Sequence, residues 1–225
     1  MKKFLTACLI IGGLAIMSES FADINSITTV NQTNIAEWRK ECDAILNSGQ
    51  TVDAKILNKI ALQSKSADKT IQGSDRAWLD SVQTRVGEYA LKLGHSAYQN
   101  GDYTNAKAYY KIADIRLAKT HQTQLSDVHL NLADISKKSN LPSGVSVEVC
   151  NAIKLNPSNS KISSFIDSSM SVLSYTSLDR IAHQYESGKQ FSLAAKYYQA
   201  AMNKAEKPEY QQIARQNMER AQRGQ

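Results

Sequence analysis

The segment Ala106-Lys-Ala-Tyr-Tyr-Lys-Ile-Ala113 returns 88 positions later as Ala194-Ala-Lys-Tyr-Tyr-Gln-Ala-Ala201. The same offset pairs His95 with His183 and Tyr103 with Phe191. Apolar residues at intervals of three and four around both copies give helical periodicity. Small alanines let two helices approach closely, and the tyrosines fill the space between a helix pair and its neighbour. A repeat of this kind is the signature of stacked supersecondary units.

The rest of the chain reads the same way. Proline and glycine are scarce, so few points break a helix. Asn34 with Glu37 forms a capping-box signal, followed by the stripe Ile35, Trp38, Cys42, Ile45 and Leu46 up to Gly49. A second helix starts near Thr51, and Ser64 to Gly73 reads as a loop or frayed end. A long helix follows Ser74 with the stripe Trp78, Val82, Val86, Tyr89, Leu93 and Ala97, ending at Asn100-Gly101. Helices are expected at about 104–119, 126–138, 147–155, 161–173, 176–187, 191–205 and 209–222. Val145-Ser-Val-Glu-Val149 alternates as a strand would.

Both copies resemble the tetratricopeptide repeat. The match rests on Gly94, Gly101-Asp102-Tyr103, Ala106, Tyr110 and Ala113 in the first, and on Ala182, Tyr185, Phe191, Ala194, Tyr198 and Ala201 in the second. In the second copy the turn glycine sits one position early, at Gly188. A degraded copy lies between them, with Leu132-Ala133 in its first helix and Ala152-Ile-Lys-Leu-Asn-Pro157 as its closing segment; Pro142 occupies an aromatic position of the family. The resemblance implies an all-α fold of antiparallel helix hairpins stacked as a short, irregular superhelix, with 209–222 capping its end. It also implies that the first helix of each pair lines a concave face holding a protein or peptide segment. The corresponding positions are Glu88, Leu91, His95, Tyr98 and Gln99 in the first copy, and Thr176, Asp179, His183 and Glu186 in the last. Leu91 and Asp179 stand where a basic residue would be needed to clamp a terminal carboxylate, so that ligand is not expected.

The chain opens on a secretory-signal pattern over residues 1–22. Lys2 and Lys3 precede the apolar run Phe4 to Met17, and Ser20-Phe21-Ala22 supplies small residues for cleavage. The run is shorter than the ~20 residues of a membrane helix. Leu5-Thr6-Ala7-Cys8 resembles a lipobox, but its apolar stretch follows the cysteine instead of preceding it. The expected organisation is a signal at 1–22, a flexible leader at 23–33, a helical pair at 34–73 and the repeat region at 74–225. The expected location is the periplasm or the exterior, without stable membrane insertion after cleavage.

Cleavage leaves Cys42 and Cys150. Export to an oxidising compartment predicts a disulfide between them, which would contribute about 4–5 kcal/mol in the chain-entropy model. The alternative is two buried thiols that never meet. Loss of Lys2, Lys3 and Glu19 lowers the net charge from +6 to +5, and the basic residues are dispersed. No nucleic-acid stripe is visible.

No phosphate-binding glycine loop, G-x-S-x-G elbow or H-E-x-x-H pair is present, and none of His95, His121, His129 and His183 has another histidine three or four positions away. The expectation is a binding adaptor or scaffold without cofactor, not an enzyme. The competing readings are a secreted effector or hydrolase with an unrecognised site, and an envelope structural subunit.

Overall fold

The computed structural model describes Ile24 and residues 27–224. The signal-sequence expectation for 1–22, Cys8 included, lies outside the described residues. Among residues 27–224 ten helices follow one another: α1 (Ile35–Asn47), α2 (Ala54–Ser66), α3 (Gly73–Gln99), α4 (Tyr103–Leu117), α5 (Gln122–Lys138), α6 (Pro142–Leu155), α7 (Ser160–Asp167), α8 (Tyr175–Ser187), α9 (Phe191–Lys204) and α10 (Pro208–Gln222). Among the described residues there is no strand. The fold is all-α, with consecutive helices packed as pairs.

The strand-like stretch Val145–Val149 lies inside α6. Pro142 starts that helix, where its missing N–H costs nothing, and Val145 and Val149 are fully buried, four residues apart on one face. The alternation is therefore incidental to a helical spacing. The helix expected over 161–173 ends at Asp167 and gives way to turns.

The chain divides into two compact units, one up to Leu93 and one from Gly94 onward. The division falls inside α3 and not at the polar stretch before it, for a local reason. Up to Tyr89, side chains of α3 reach α1, α2 and the turn between them: Arg85 pairs with Asp43 at 2.6 Å, Gln83 donates to the Ala61 carbonyl at 2.6 Å, and Tyr89 donates to the Gln50 carbonyl at 2.6 Å. From His95 on they reach α4.

In the first unit Trp38 is fully buried and meets Trp78 edge-on, with ring centroids 5.5 Å apart. Its indole N–H donates to Gln63 Oε1 at 3.1 Å. Gln63 in turn donates to the Ile27 carbonyl, and Asp68 N–H donates to the Val30 carbonyl at 2.8 Å. Val30 is fully buried. The leader expected to be flexible is thus pinned from Ile27 onward by an apolar anchor and two hydrogen bonds to its carbonyls, one from the Gln63 side chain and one from the Asp68 backbone. The expected capping box is absent: the Asn34 side chain accepts from Asn31 N–H and donates to the Thr29 carbonyl, so it ties the entering chain instead of capping α1.

The second unit is built from hairpins α3–α4, α5–α6 and α8–α9, followed by α10. All three hairpins turn through the same backbone arrangement. Asp102 N–H reaches the Ala97 carbonyl, Leu141 N–H that of Ser136, and Gln190 N–H that of Tyr185, each at 2.9 Å. This is the long bond of a Schellman closure, and it requires a left-handed residue just before the donor. That residue is Gly101 (φ 76°), Asn140 (φ 52°) and Lys189 (φ 59°) in turn. In the last hairpin the left-handed residue is therefore Lys189, not the neighbouring Gly188. Gly188 is held to glycine for another reason: a Cβ there would stand 2.8 Å from Pro157 Cβ.

Matching positions of the three hairpins carry the core. Ala106, Val145 and Ala194 are fully buried, as are Tyr110, Val149 and Tyr198, and Ala113, Ala152 and Ala201. The middle copy substitutes valine for both alanine and tyrosine, which is why its sequence likeness is faint while its packing is retained. Gly94 faces Tyr110 so closely that a Cβ would lie 2.6 Å from Cδ1. Replacing Ala106 or Ala194 by leucine is expected to overpack these contacts and lower stability by about 1–3 kcal/mol each; urea unfolding followed by circular dichroism measures it.

Candidate functional site

Helices of the second unit are joined by polar latches between side chains 34 to 36 residues apart. Tyr98 on α3 donates to Asp134 Oδ2 on α5 at 2.6 Å, 36 residues on. Glu186 on α8 accepts two bonds from Arg220 on α10, at 2.8 and 2.9 Å, 34 residues on. Asp127 on α5 meets Lys161 on α7 at 2.5 Å, also 34 residues on. The fork of Arg220 matches the carboxylate plane, the geometry that gives such pairs direction as well as attraction. Arg220 holds the Glu186 carboxyl below the usual carboxylate range. Burial, with the Asp134 carboxylate as its acceptor, pushes the Tyr98 phenol up to about 12. Lys138 completes this cluster: it pairs with Asp134 at 2.6 Å and lies over the rings of Tyr98 and Tyr103.

Within the first and last hairpins a histidine is bonded to the matching tyrosine. His95 Nδ1 lies 3.0 Å from Tyr110 Oη, and His183 Nδ1 lies 2.7 Å from Tyr198 Oη, both rings meeting edge-on. Asn131 also donates to Tyr110 Oη at 2.8 Å, and Tyr198 donates to Glu186 at 2.7 Å. Burial lowers the His95 pKa, a neutral ring being easier to enclose.

The structure distributes the sequence-predicted residues as follows. Glu88 is exposed and Leu91 buried, both on the stretch of α3 that belongs to the first unit. Leu91 is therefore corrected from a ligand-facing residue to a core residue: at 9% exposure it offers no surface. His95 and Tyr98 are half-buried and engaged, while Gln99 is exposed. On α8, Thr176 is exposed, Asp179 and Glu186 are half-buried, and the His183 side chain retains 50% exposure. Asp179 Oδ1 is buried and accepts no hydrogen bond from the described residues, while its Oδ2 lies 3.8 Å from His183 Nε2. The face is thus part scaffold and part surface. Tyr98 and Glu186 are occupied by latches; Gln99, Asp179 and His183 retain polar atoms to offer.

Cys42 and Cys150 are free thiols, not the expected disulfide. Each belongs to a different unit, Cys42 in α1 and Cys150 in α6. Burial raises both thiol pKa values, that of Cys150 to about 11; neither is poised as a thiolate.

Sequence reasoning missed His129. On α5 it is almost enclosed, with Nδ1 2.7 Å from Glu148 Oε2 on α6 and Nε2 3.4 Å from Asp114 Oδ1 on α4. Burial alone would lower its pKa, but hydrogen bonds and charge from both carboxylates win and raise it to about 9. At neutral pH it is an imidazolium donating from both nitrogens, tying three helices together. The signal was faint, since Asp114 and Glu148 lie on α4 and α6, far from His129 in sequence and outside the three- and four-residue spacings at which ligand pairs stand out.

Family models, characterised proteins and solved structures were compared with the chain, and none matches.

Proposed function

We propose that this chain is an exported, tetratricopeptide-like scaffold that holds a segment of another protein along the first-helix face of its second unit. The observation that supports the reading is the tying of first helices to their neighbours, α3 to α5 through Tyr98 and Asp134 and α8 to α10 through Glu186 and Arg220. Three identical hairpin turns support it, as does the signal pattern at 1–22, which directs the chain to the periplasm or the exterior. Scaffolds of this kind use a rigid row of helices whose outward polar atoms read a partner. Here Gln99, Asp179 and His183 supply an amide, a carboxylate and an imidazole.

The test begins with the exported chain as bait against envelope proteins, followed by titration of the captured partner. Combined Asp179→Lys and His183→Glu substitution is expected to weaken that complex about tenfold, the scale of two polar contacts, with helicity unchanged. Unaltered affinity in a folded variant removes the face assignment, and failure to capture any protein partner removes the scaffold reading.

A further inference from the structure

Asn100-Gly101 closes α3, and it is the one place in the chain where glycine follows asparagine. Both residues are exposed, and the Asn100 side chain makes no hydrogen bond among the described residues. The order of the two matters. The amide carbon of an asparagine side chain lies within reach of the backbone nitrogen of the next residue, and attack by that nitrogen closes a five-membered ring. A side chain on the attacking residue hinders the approach, and glycine has none. A Cβ placed at Gly101 would meet no heavy atom within 4 Å, so the turn is open to water.

Two described asparagines precede serine, the next small polar neighbour, and both are held. Asn47 accepts from Arg85 at 3.4 Å. Asn159 accepts from Lys161 N–H at 3.1 Å and donates to Ser126 and Asp127 at 3.1 and 2.9 Å. The amide of Asn100 has no such restraint and rotates freely. One contact opposes the reaction there: Gly101 N–H donates to the Tyr98 carbonyl at 3.1 Å, and the nitrogen must leave that bond before it attacks. The bond belongs to the last turn of an exposed helix end, which opens at little cost. The reaction is therefore slower than in an unstructured peptide but not blocked.

We infer that Asn100 is a site of spontaneous modification, converted to aspartate and isoaspartate through a succinimide closed by Gly101, and that the conversion loosens the α3–α4 hairpin. The deprotonated Gly101 nitrogen bonds to Asn100 Cγ, the Cγ–Nδ2 bond breaks, and ammonia leaves. Water then opens the ring. Addition at Cγ restores the ordinary chain with an aspartate; addition at the main-chain carbonyl leaves the chain running through Cβ and Cγ as isoaspartate. One water is consumed, one ammonia is released, and nothing is oxidised or reduced.

Both products strain the turn. A carboxylate at position 100 sits at the negative end of α3, two residues from Asp102, whose own carboxylate accepts from Asn105 N–H at 3.2 Å to start α4. The isoaspartyl form also adds a methylene to the main chain between the Ala97 carbonyl and the Asp102 N–H, whose 2.9 Å bond closes the hairpin. Tyr98, which ties α3 to Asp134, lies two residues before the change. This inference concerns the chemistry of the chain alone and is independent of the scaffold reading.

The experiment ages the purified chain in ammonia-free buffer at mildly alkaline pH and, in parallel, at mildly acidic pH. Trypsin then releases the fragment Leu93 to Lys107, which holds Asn100 and Asn105. The expected result is an amide-to-acid mass gain in this fragment before any other described asparagine, faster in the alkaline sample and resolved by chromatography into two products of equal mass. Asn100→Gln keeps the amide but not the five-membered ring, and is expected to lose the conversion with helicity unchanged. The aged chain is expected to unfold at lower urea than the fresh one, and Asn100→Asp, which adds the charge but not the methylene, to show a smaller drop. No mass gain in the fragment, a gain that persists in Asn100→Gln, or an earlier gain at Asn47 or Asn159 overturns the site. A converted chain with the urea midpoint of the fresh one overturns the loosening of the hairpin.

Discussion

Between about pH 6.5 and pH 9 the second unit is expected to lose on the order of 3 kcal/mol of stability through one side chain, His129. The folded-state pKa lies above that of an unfolded chain, because Glu148 and Asp114 hold the imidazolium. Protons therefore bind more tightly to the folded form. The stabilisation is fully present below the unfolded value near 6.5 and disappears as pH rises through about 9. The order of magnitude follows from ~1.4 kcal/mol per pH unit of displacement. Thermal unfolding across this range should show a falling midpoint in the native chain, and a much flatter profile in His129→Gln. Glu148→Gln should make the fall smaller and end it at lower pH, since it removes the nearer carboxylate and lowers the folded-state value. A native midpoint that stays constant between pH 6.5 and 9 would show that the ring is neutral in the folded protein.

Trp38→Ala is expected to cost about 3–5 kcal/mol in the first unit. Its ring is fully enclosed and meets Trp78 edge-on, so truncation opens a cavity whose lining has few ways to collapse. It also removes the donor to Gln63, the residue that holds the leader through the Ile27 carbonyl. Trp38→Phe keeps most of the volume but not the N–H, and should cost less. Denaturant unfolding gives the two energies, and limited proteolysis near residues 27–33 separates the two causes. Cleavage there should rise in both variants if the indole N–H orients Gln63, and only in the alanine variant if volume alone matters.

Helix periodicity made most of the fold legible, because stripes such as Trp78, Val82, Val86 and Tyr89 admit one geometry. It failed where two patterns overlap. Val145 and Val149 satisfy both a strand alternation and a helix face, and Pro142 at the helix start settles the choice. The anchoring of the leader was hard to read because its polar residues outnumber its apolar anchors; Val30 is buried while Thr28, Thr29, Gln32 and Thr33 around it are exposed. The disulfide expectation used compartment chemistry, which says nothing about where two cysteines lie. The positions of the candidate face were legible from the repeat register, but not their occupancy. Leu91 was assigned to a ligand and is core; Tyr98 and Glu186 were assigned to a ligand and are spent on Asp134 and Arg220. Register places a residue on a helix, while its partner depends on which charge the next helix presents.

The Arg220 fork has a mechanical corollary. In a row of helices that touch only their neighbours, opening begins at an end and proceeds inward. Helix α10 packs chiefly on α9 and reaches α8 through that fork to Glu186 and the stack of Tyr210 on Tyr175. Tension applied near residue 224 would peel α10 away first, uncovering the inner edge of α8 while the three hairpins stayed intact. The same motion would pull Tyr210 off Tyr175, undoing that ring stack before the rest of the row unravelled.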